Sequence, residues 1–85
     1  MATIRLLARS DGDLRLAGRY VVEYDPQPRN GPNGEFVHLL TTDDPEQALQ
    51  FPSGGEALEF YLRAAGLRSD GKPNRPLTAF TVEIT

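Results

Sequence analysis

Residues 53–66 form the one long stretch in which apolar side chains recur at helical spacing. Ser53 followed three residues later by Glu56 is a capping box, which satisfies backbone amides in a first helical turn. We expect this main helix to end at Gly66 in a left-handed conformation, with Leu67 folding back onto the last turn. The predicted buried face consists of Ala57, Leu58, Tyr61, Leu62 and Ala65.

Outside this stretch, apolar and polar residues alternate as they do in half-buried strands. Tyr20, Val22 and Tyr24 are expected on one face of the second strand, and Phe80, Val82 and Ile84 on the inner face of the last. The predicted strands cover residues 3–9, 19–25, 35–42 and 77–85.

Proline and glycine mark the connections between these strands. Residues 26–34 contain three prolines and two Asn/Gly steps, so we expect an irregular loop there. Residues 68–76 are expected to form a second loop. Asp44 followed by Pro45 predicts a helical turn over residues 45–49, with aspartate as the cap and proline in the first helical position.

These elements predict a single α+β domain over residues 1–85. It comprises an antiparallel sheet of about four strands packed against one main helix, with one short extra helical turn. One helix covers only one face of such a sheet. Exposed Leu7, Val21 or Leu39 on the other face would indicate a dimer or a docking surface, so monomer and homodimer both stay open.

Composition excludes several classes of protein. The chain has no cysteine, which excludes a disulfide scaffold, a thiolate zinc site and a cysteine nucleophile. No apolar run approaches the ~20 residues that span a bilayer, and the N-terminus lacks a signal-peptide pattern. We therefore expect a cytoplasmic protein without a membrane segment.

The residues that could carry catalysis are few. His38 is the only histidine, and it shares a predicted strand face with Phe36 and Leu40, which favours a packed or half-exposed strand residue. A hydrolytic triad also needs an activated nucleophile, and Ser53 already serves as a cap. The glycines after Ser53 lack the lysine of a phosphate-binding loop. We expect no enzyme, no cofactor and no bound metal.

The net charge of −3 is unevenly distributed along the chain. Residues 43–62 contain five acids and no base, whereas basic residues dominate after residue 62. An acidic surface of this kind can imitate nucleic-acid phosphates or bind an arginine-rich partner. The alternative is that these acids only complement helix dipoles, with Glu59 and Arg63 forming an i,i+4 pair. The predicted partner-binding residues are Asp43, Asp44, Glu46, Glu56 and Glu59.

A second candidate surface lies in the loop that follows the main helix. Arg68, Lys72 and Arg75 could contact phosphate or a carboxylate-rich protein, although a solvated loop would have the same composition. Direct binding of nucleic acid is disfavoured because the sequence pI is about 5.0 and such domains are usually basic. These three residues are the predicted secondary partner-binding set.

The motif T-T-x-D-P over residues 41–45, followed by A-x-x-F over 48–51 and an E-A helix at 56–57, resembles small accessory proteins of phages and prophages of GC-rich proteobacteria. Proteins of this kind include anti-CRISPR proteins. The resemblance implies a stoichiometric inhibitor that binds Cas proteins of a type I surveillance complex (Cascade) and blocks target-DNA recruitment in the host cytoplasm. The alternative is a phage accessory module that binds another host or virion protein, for which the basic loop is the candidate surface.

Overall fold

Four strands lie side by side in one antiparallel sheet, in the order β3-β2-β1-β4. The computed structural model describes residues 1–85, apart from the side chain of residue 35. One α-helix and two short 3-10 turns complete the described fold, which confirms the predicted α+β class. The strands are β1 (Ile4–Arg9), β2 (Tyr20–Gly31), β3 (Gly34–Thr42) and β4 (Phe80–Ile84), and the helix is α1 (Gly54–Tyr61).

The core lies between the sheet and α1. Ile4 and Leu6 of the inner strand β1 have no exposed surface, as their alternation predicts. On the neighbouring strand they face Ile84 and Val82 in register. These two residues pack against the core as predicted for the last strand. The first and last strands of the chain therefore pair with each other, and both contribute side chains to the core.

A bulge in β2 changes the face assignment predicted for that strand. Val21 pairs with Thr41 and Glu23 pairs with Leu40, so β2 contains one more residue than β3 between these pairs. The extra residue resets the alternation of side chains. Val21 and Tyr24 are consequently both buried, and the prediction that Tyr24 shares a face with Tyr20 and not with Val21 is wrong.

The predicted irregular loop over residues 26–34 is also wrong, because β2 and β3 continue through it as a hairpin that closes between Gly31 and Gly34. Pairing passes from Asp25 directly to Arg29 in β2, while β3 advances by only two residues, from 38 to 36. The prolines at 26 and 28 lie in this irregular segment. A proline cannot donate a hydrogen bond to a ladder, and a bulge is where a strand tolerates one.

The main helix begins as predicted but ends earlier. Ser53 Oγ accepts a hydrogen bond from the Glu56 amide at 3.3 Å, whereas α1 stops at Tyr61 and not near Gly66. Ala65 and Gly66 bond to a later segment instead of continuing the helix: the Ala65 amide donates to the Asn74 carbonyl at 2.9 Å, and the Gly66 carbonyl accepts the Asn74 amide at 3.1 Å. Gly66 does adopt a positive φ of 67°. Leu67, however, is 73% exposed and does not fold back onto the last helical turn.

The buried face of α1 also differs from the predicted one. Ala57 is buried and Tyr61 packs against the core, as predicted, but Leu58 and Leu62 are 46% and 40% exposed. Phe60 takes the central position. Its ring centroid lies 5.1 Å from that of Phe51 and 5.8 Å from that of Tyr24.

The two 3-10 turns adjoin the edge strands of the sheet, one after β3 and the other before β4. Asp44 accepts a hydrogen bond from the Glu46 amide and caps the turn Pro45–Gln47, as the Asp-Pro signal predicts. The turn Pro76–Ala79 occupies the start of the predicted last strand, which is therefore shorter than expected. Leu77 in this turn is 1% exposed and joins the core. No helix in the described chain has the length and apolar character needed to cross a membrane.

Two glycines should respond in opposite directions to replacement by alanine. Gly34 closes the β2–β3 hairpin at φ 110°, so Gly34→Ala should lower the free energy of unfolding by about 1–2 kcal/mol through backbone strain. Gly55 lies in the first turn of α1, where an added Cβ would meet only Ser53 Oγ at 3.8 Å. Gly55→Ala should therefore raise the free energy of unfolding by about 0.5–1 kcal/mol. Urea titration of both variants measures the contrast, and equal signs would contradict the hairpin geometry.

Candidate functional site

The five predicted acidic residues fall into two groups on consecutive elements. Asp43, Asp44 and Glu46, here called the acidic turn, lie where β3 passes into the first 3-10 turn. Glu56 and Glu59 lie on α1 and line a shallow groove of about 420 Å³. The structure thus brings the two helix acids together at one groove and places the acidic turn on a separate connection.

Helix capping accounts for part of this acidity. Asp44 Oδ1 accepts the Glu46 amide at 2.9 Å, and Glu46 and Glu56 each lie in the first turn of a helical element. Acids in a first turn complement the helix dipole. Asp43 and Glu59 have no such role, and both are exposed. Capping therefore fully accounts for an acid at position 44 and partly accounts for the acids at positions 46 and 56. It does not account for Asp43 or Glu59.

Ion pairing differs between the five acids of residues 43–62 and four aspartates elsewhere in the described chain. None of the five acids forms an ion pair with a described side chain. The expected pair of Glu59 with Arg63 does not form, because the Arg63 guanidinium lies over the Phe60 ring, 4.7 Å from its centroid. The ion pairs among described arginines and aspartates are Arg9–Asp11, Arg15–Asp13, Arg29–Asp25 and Arg68–Asp70.

Asp13 and Asp25 in the N-terminal half are held by local partners. The Arg15 guanidinium donates to the Asp13 carboxylate and lowers the pKa of Asp13 to about 2. The pKa of Asp25 is also lowered, first by the Gln27 amide and then by Arg29. Asp13 and Asp25 are therefore each neutralised by an arginine close in sequence, whereas none of the five acids of residues 43–62 has such a partner among the described side chains.

The three predicted basic residues converge on one groove. Arg68, Lys72 and Arg75 all line an open groove of about 580 Å³, here called the basic groove. The loop that carries them is ordered by backbone bonds: the Arg68 amide donates to the Lys72 carbonyl at 2.7 Å, and the Asn74 amide donates to Gly66 at 3.1 Å. The sequence places these residues near each other in the chain, and the loop pairing brings them to a common surface.

Residues distant in sequence complete the basic groove. Leu62 from the end of α1 and Ser10 from the end of β1 line it. Arg75 Nε donates to the Leu62 carbonyl at 2.9 Å, which fixes the direction of the guanidinium and leaves its two terminal nitrogens for a ligand. Sequence reasoning missed Leu62 and Ser10, because no local pattern indicates that helix and strand ends meet at this loop.

The uncovered face of the sheet differs from expectation. Val21 is in the core, Leu39 packs against it and Leu7 is half-buried, so none of the three residues named for a docking surface is exposed. Phe36 and Leu40 of β3 are the exposed apolar residues instead, at 50% and 47%.

His38 shares the exposed face of β3 with Phe36 and Leu40, as predicted. Its Nε2 lies 3.0 Å from Glu23 Oε2 of the neighbouring strand. Among the described residues, no group of three or more histidine, cysteine, aspartate or glutamate residues is placed to hold a metal ion.

The fold itself defines an α+β protein with one helix packed on a four-stranded antiparallel sheet. Comparison of the chain with protein-family models, curated proteins and solved structures found no significant match. The motif resemblance to phage accessory proteins therefore stays an expectation. Function has to be inferred from the two charged surfaces.

Proposed function

We propose that this chain is a phage-type anti-CRISPR inhibitor, which binds a type I CRISPR surveillance complex and blocks recruitment of target DNA. The observation that carries the proposal is the unpaired acidity of residues 43–62. Five carboxylates there lack an ion-pair partner among the described side chains, whereas Asp11, Asp13, Asp25 and Asp70 each have an arginine partner. Unpaired surface carboxylates are available to a basic partner at no cost of breaking an internal pair.

The mechanism is competition by charge. A protein path that binds DNA neutralises phosphates with lysine and arginine side chains. Exposed carboxylates of the acidic turn and of α1 would contact the same side chains and exclude the DNA backbone. The accessible surface of the chain is 5598 Å², so one ordinary interface of about 800 Å² would cover roughly a seventh of it. The protein would act stoichiometrically in the host cytoplasm, without catalysis or a cofactor.

The test is co-elution of the purified protein with reconstituted type I surveillance complex in size exclusion, followed by a gel shift of target DNA. Native protein should co-elute and abolish the shift, and binding should weaken steeply with salt. Asp43→Lys/Glu46→Lys should restore the DNA shift, because it turns two attractive contacts into repulsive ones. Asp44 is left unchanged because it caps the 3-10 turn.

The matched control is Arg68→Glu/Lys72→Glu. It reverses two positive charges in the basic groove, which is the other candidate surface. This variant should inhibit as strongly as the native protein. Full inhibition by Asp43→Lys/Glu46→Lys would remove the acidic mechanism. Failure of the native protein to co-elute with several type I complexes would remove the proposed partner.

The second candidate function is a phage accessory module that binds another host or virion protein. The observation that favours it is the convergence of three basic side chains on the basic groove. A native protein that leaves every type I complex unbound, and that captures a host or virion protein only while Arg68 and Lys72 are present, would establish this function instead.

A further inference from the structure

We infer that the basic groove is a binding site for an acidic peptide segment of a partner protein, one that carries apolar side chains as well as carboxylates. The site is distinct from the acidic residues on which the proposed inhibition depends. The inference deepens the second candidate function, whose surface it shares, and it stands or fails independently of the CRISPR proposal.

Charge is the first argument. Arg68, Lys72 and Arg75 line the basic groove, and only Arg68 has an ion-pair partner among the described side chains. That partner, Asp70, lies at 3.6 Å and both side chains are largely exposed, so the pair is weak and easily exchanged. The two arginines present planar forks that suit carboxylates.

Apolar surface is the second argument, and it favours a peptide over a small anion. Leu62 lines the groove and is 40% exposed, with Pro73 and Pro76 beside it. Leu67, which is 73% exposed, pairs its backbone with Pro73 and so lies next to the groove. An isolated phosphate gains nothing from these side chains. A peptide with apolar side chains between its carboxylates would cover them.

Rigidity is the third argument. The loop is tied to the end of α1 by the bond from Arg75 Nε to the Leu62 carbonyl at 2.9 Å. On the other wall, the Ser10 amide donates to the Ala79 carbonyl at 2.7 Å. A groove held on both walls before binding loses little conformational freedom when a ligand enters. Its volume of about 580 Å³ lies within the range of ordinary ligand pockets.

The probe for this site is a fluorescein-labelled peptide of alternating glutamate and leucine, titrated with the purified protein and followed by fluorescence anisotropy. Binding should weaken as salt is raised. Arg68→Gln/Lys72→Gln should lower the affinity about tenfold. Arg15→Gln/Arg29→Gln removes the same charge from residues that do not line the groove, and it should change the affinity by less than about twofold. Circular dichroism checks that both variants keep the native fold.

Two further probes test the chemistry of the ligand. Peptides with glutamine in place of glutamate, or with serine in place of leucine, should each bind more weakly than the original. Absence of binding by the original peptide, or equal losses in the two double variants, would overturn the inference. Inorganic pyrophosphate that binds as tightly as the peptide, with the same dependence on Arg68 and Lys72, would assign the groove to phosphate instead. Asp43→Lys/Glu46→Lys should bind the peptide no more weakly than native protein, which separates this result from the inhibition assay.

Discussion

Replacing Phe60 by alanine is expected to lower the free energy of unfolding by about 3–5 kcal/mol. Phe60 is 9% exposed, and its ring contacts Phe51 at 5.1 Å and Tyr24 at 5.8 Å between centroids. Phe60 is the largest buried side chain that α1 contributes to the core, and its removal would leave a cavity between helix and sheet. A chain of 85 residues has a total stability of about 4–13 kcal/mol. The variant should therefore lose a large fraction of the stability of the native protein.

Leu58→Ala is the matched control, because Leu58 lies two residues away on the same helix and is 46% exposed. We expect a loss below about 1 kcal/mol, since little apolar surface is withdrawn and alanine is the better helix former. Urea titration with circular dichroism measures both variants. The sequence pattern assigns Leu58 to the buried face and the structure assigns Phe60. A larger loss for Leu58→Ala would support the sequence pattern.

The second large effect is expected from Tyr24→Phe. The Tyr24 hydroxyl accepts a hydrogen bond from the buried amide of Leu77 at 3.0 Å, across 53 residues of sequence. Removing the hydroxyl leaves that amide without its partner in the core. An unsatisfied buried donor costs about 1–3 kcal/mol. Tyr20→Phe is the control, because Tyr20 is half-buried and its hydroxyl bonds to none of the described residues. It should change the free energy of unfolding by less than about 0.5 kcal/mol.

Tyr24 also makes stability depend on alkaline pH. Burial raises the pKa of Tyr24 above its usual value of 10.0, and the Leu77 amide, which stabilises the phenolate, opposes this rise only in part. A phenol whose pKa is raised by folding contributes stability that is fully present below the unfolded pKa. That contribution is lost as pH rises through the folded pKa. The native protein should thus lose stability above about pH 10.

Urea titrations at neutral pH and at pH values above 10 measure the gap between the native protein and Tyr24→Phe. The gap should narrow as pH rises, because only the native protein has the Tyr24 phenol to ionise. Burial raises the pKa of Tyr61 as well, but both proteins contain Tyr61 and its effect cancels. A gap that stays constant or widens would contradict the buried position of the Tyr24 hydroxyl.

Local signals in the sequence were sufficient for the start of α1, for the start of the first 3-10 turn and for the fold class. Ser53 marks the first turn of α1 and Asp44 marks the 3-10 turn, because a cap satisfies amides only two or three residues away. Alternation located β1 and β3 and the inner face of β4, because the side-chain period of a strand is fixed by the backbone itself. These predictions needed no knowledge of distant residues.

Charge segregation could likewise be read directly, since it is a property of the residue order. The sequence identified both candidate surfaces by residue number. It could not show which charges are neutralised, because an ion pair depends on side-chain positions. The expected Glu59–Arg63 pair illustrates the difference: a neighbouring aromatic ring holds Arg63 instead.

Tertiary contacts decided the remaining features. The bulge at Val22 follows from pairing with β3, and it reverses the faces that alternation assigns to β2. The end of α1 is set by bonds from residues 62–66 to residues 74–75, and the basic groove exists only because those same bonds join helix end and loop. The side-chain period of a strand, the capping of a helix and the order of charges each depend on residues only a few positions apart, so the sequence encodes them locally. Strand register, helix termination and groove shape depend on partners tens of residues away, which the chain meets only when it folds.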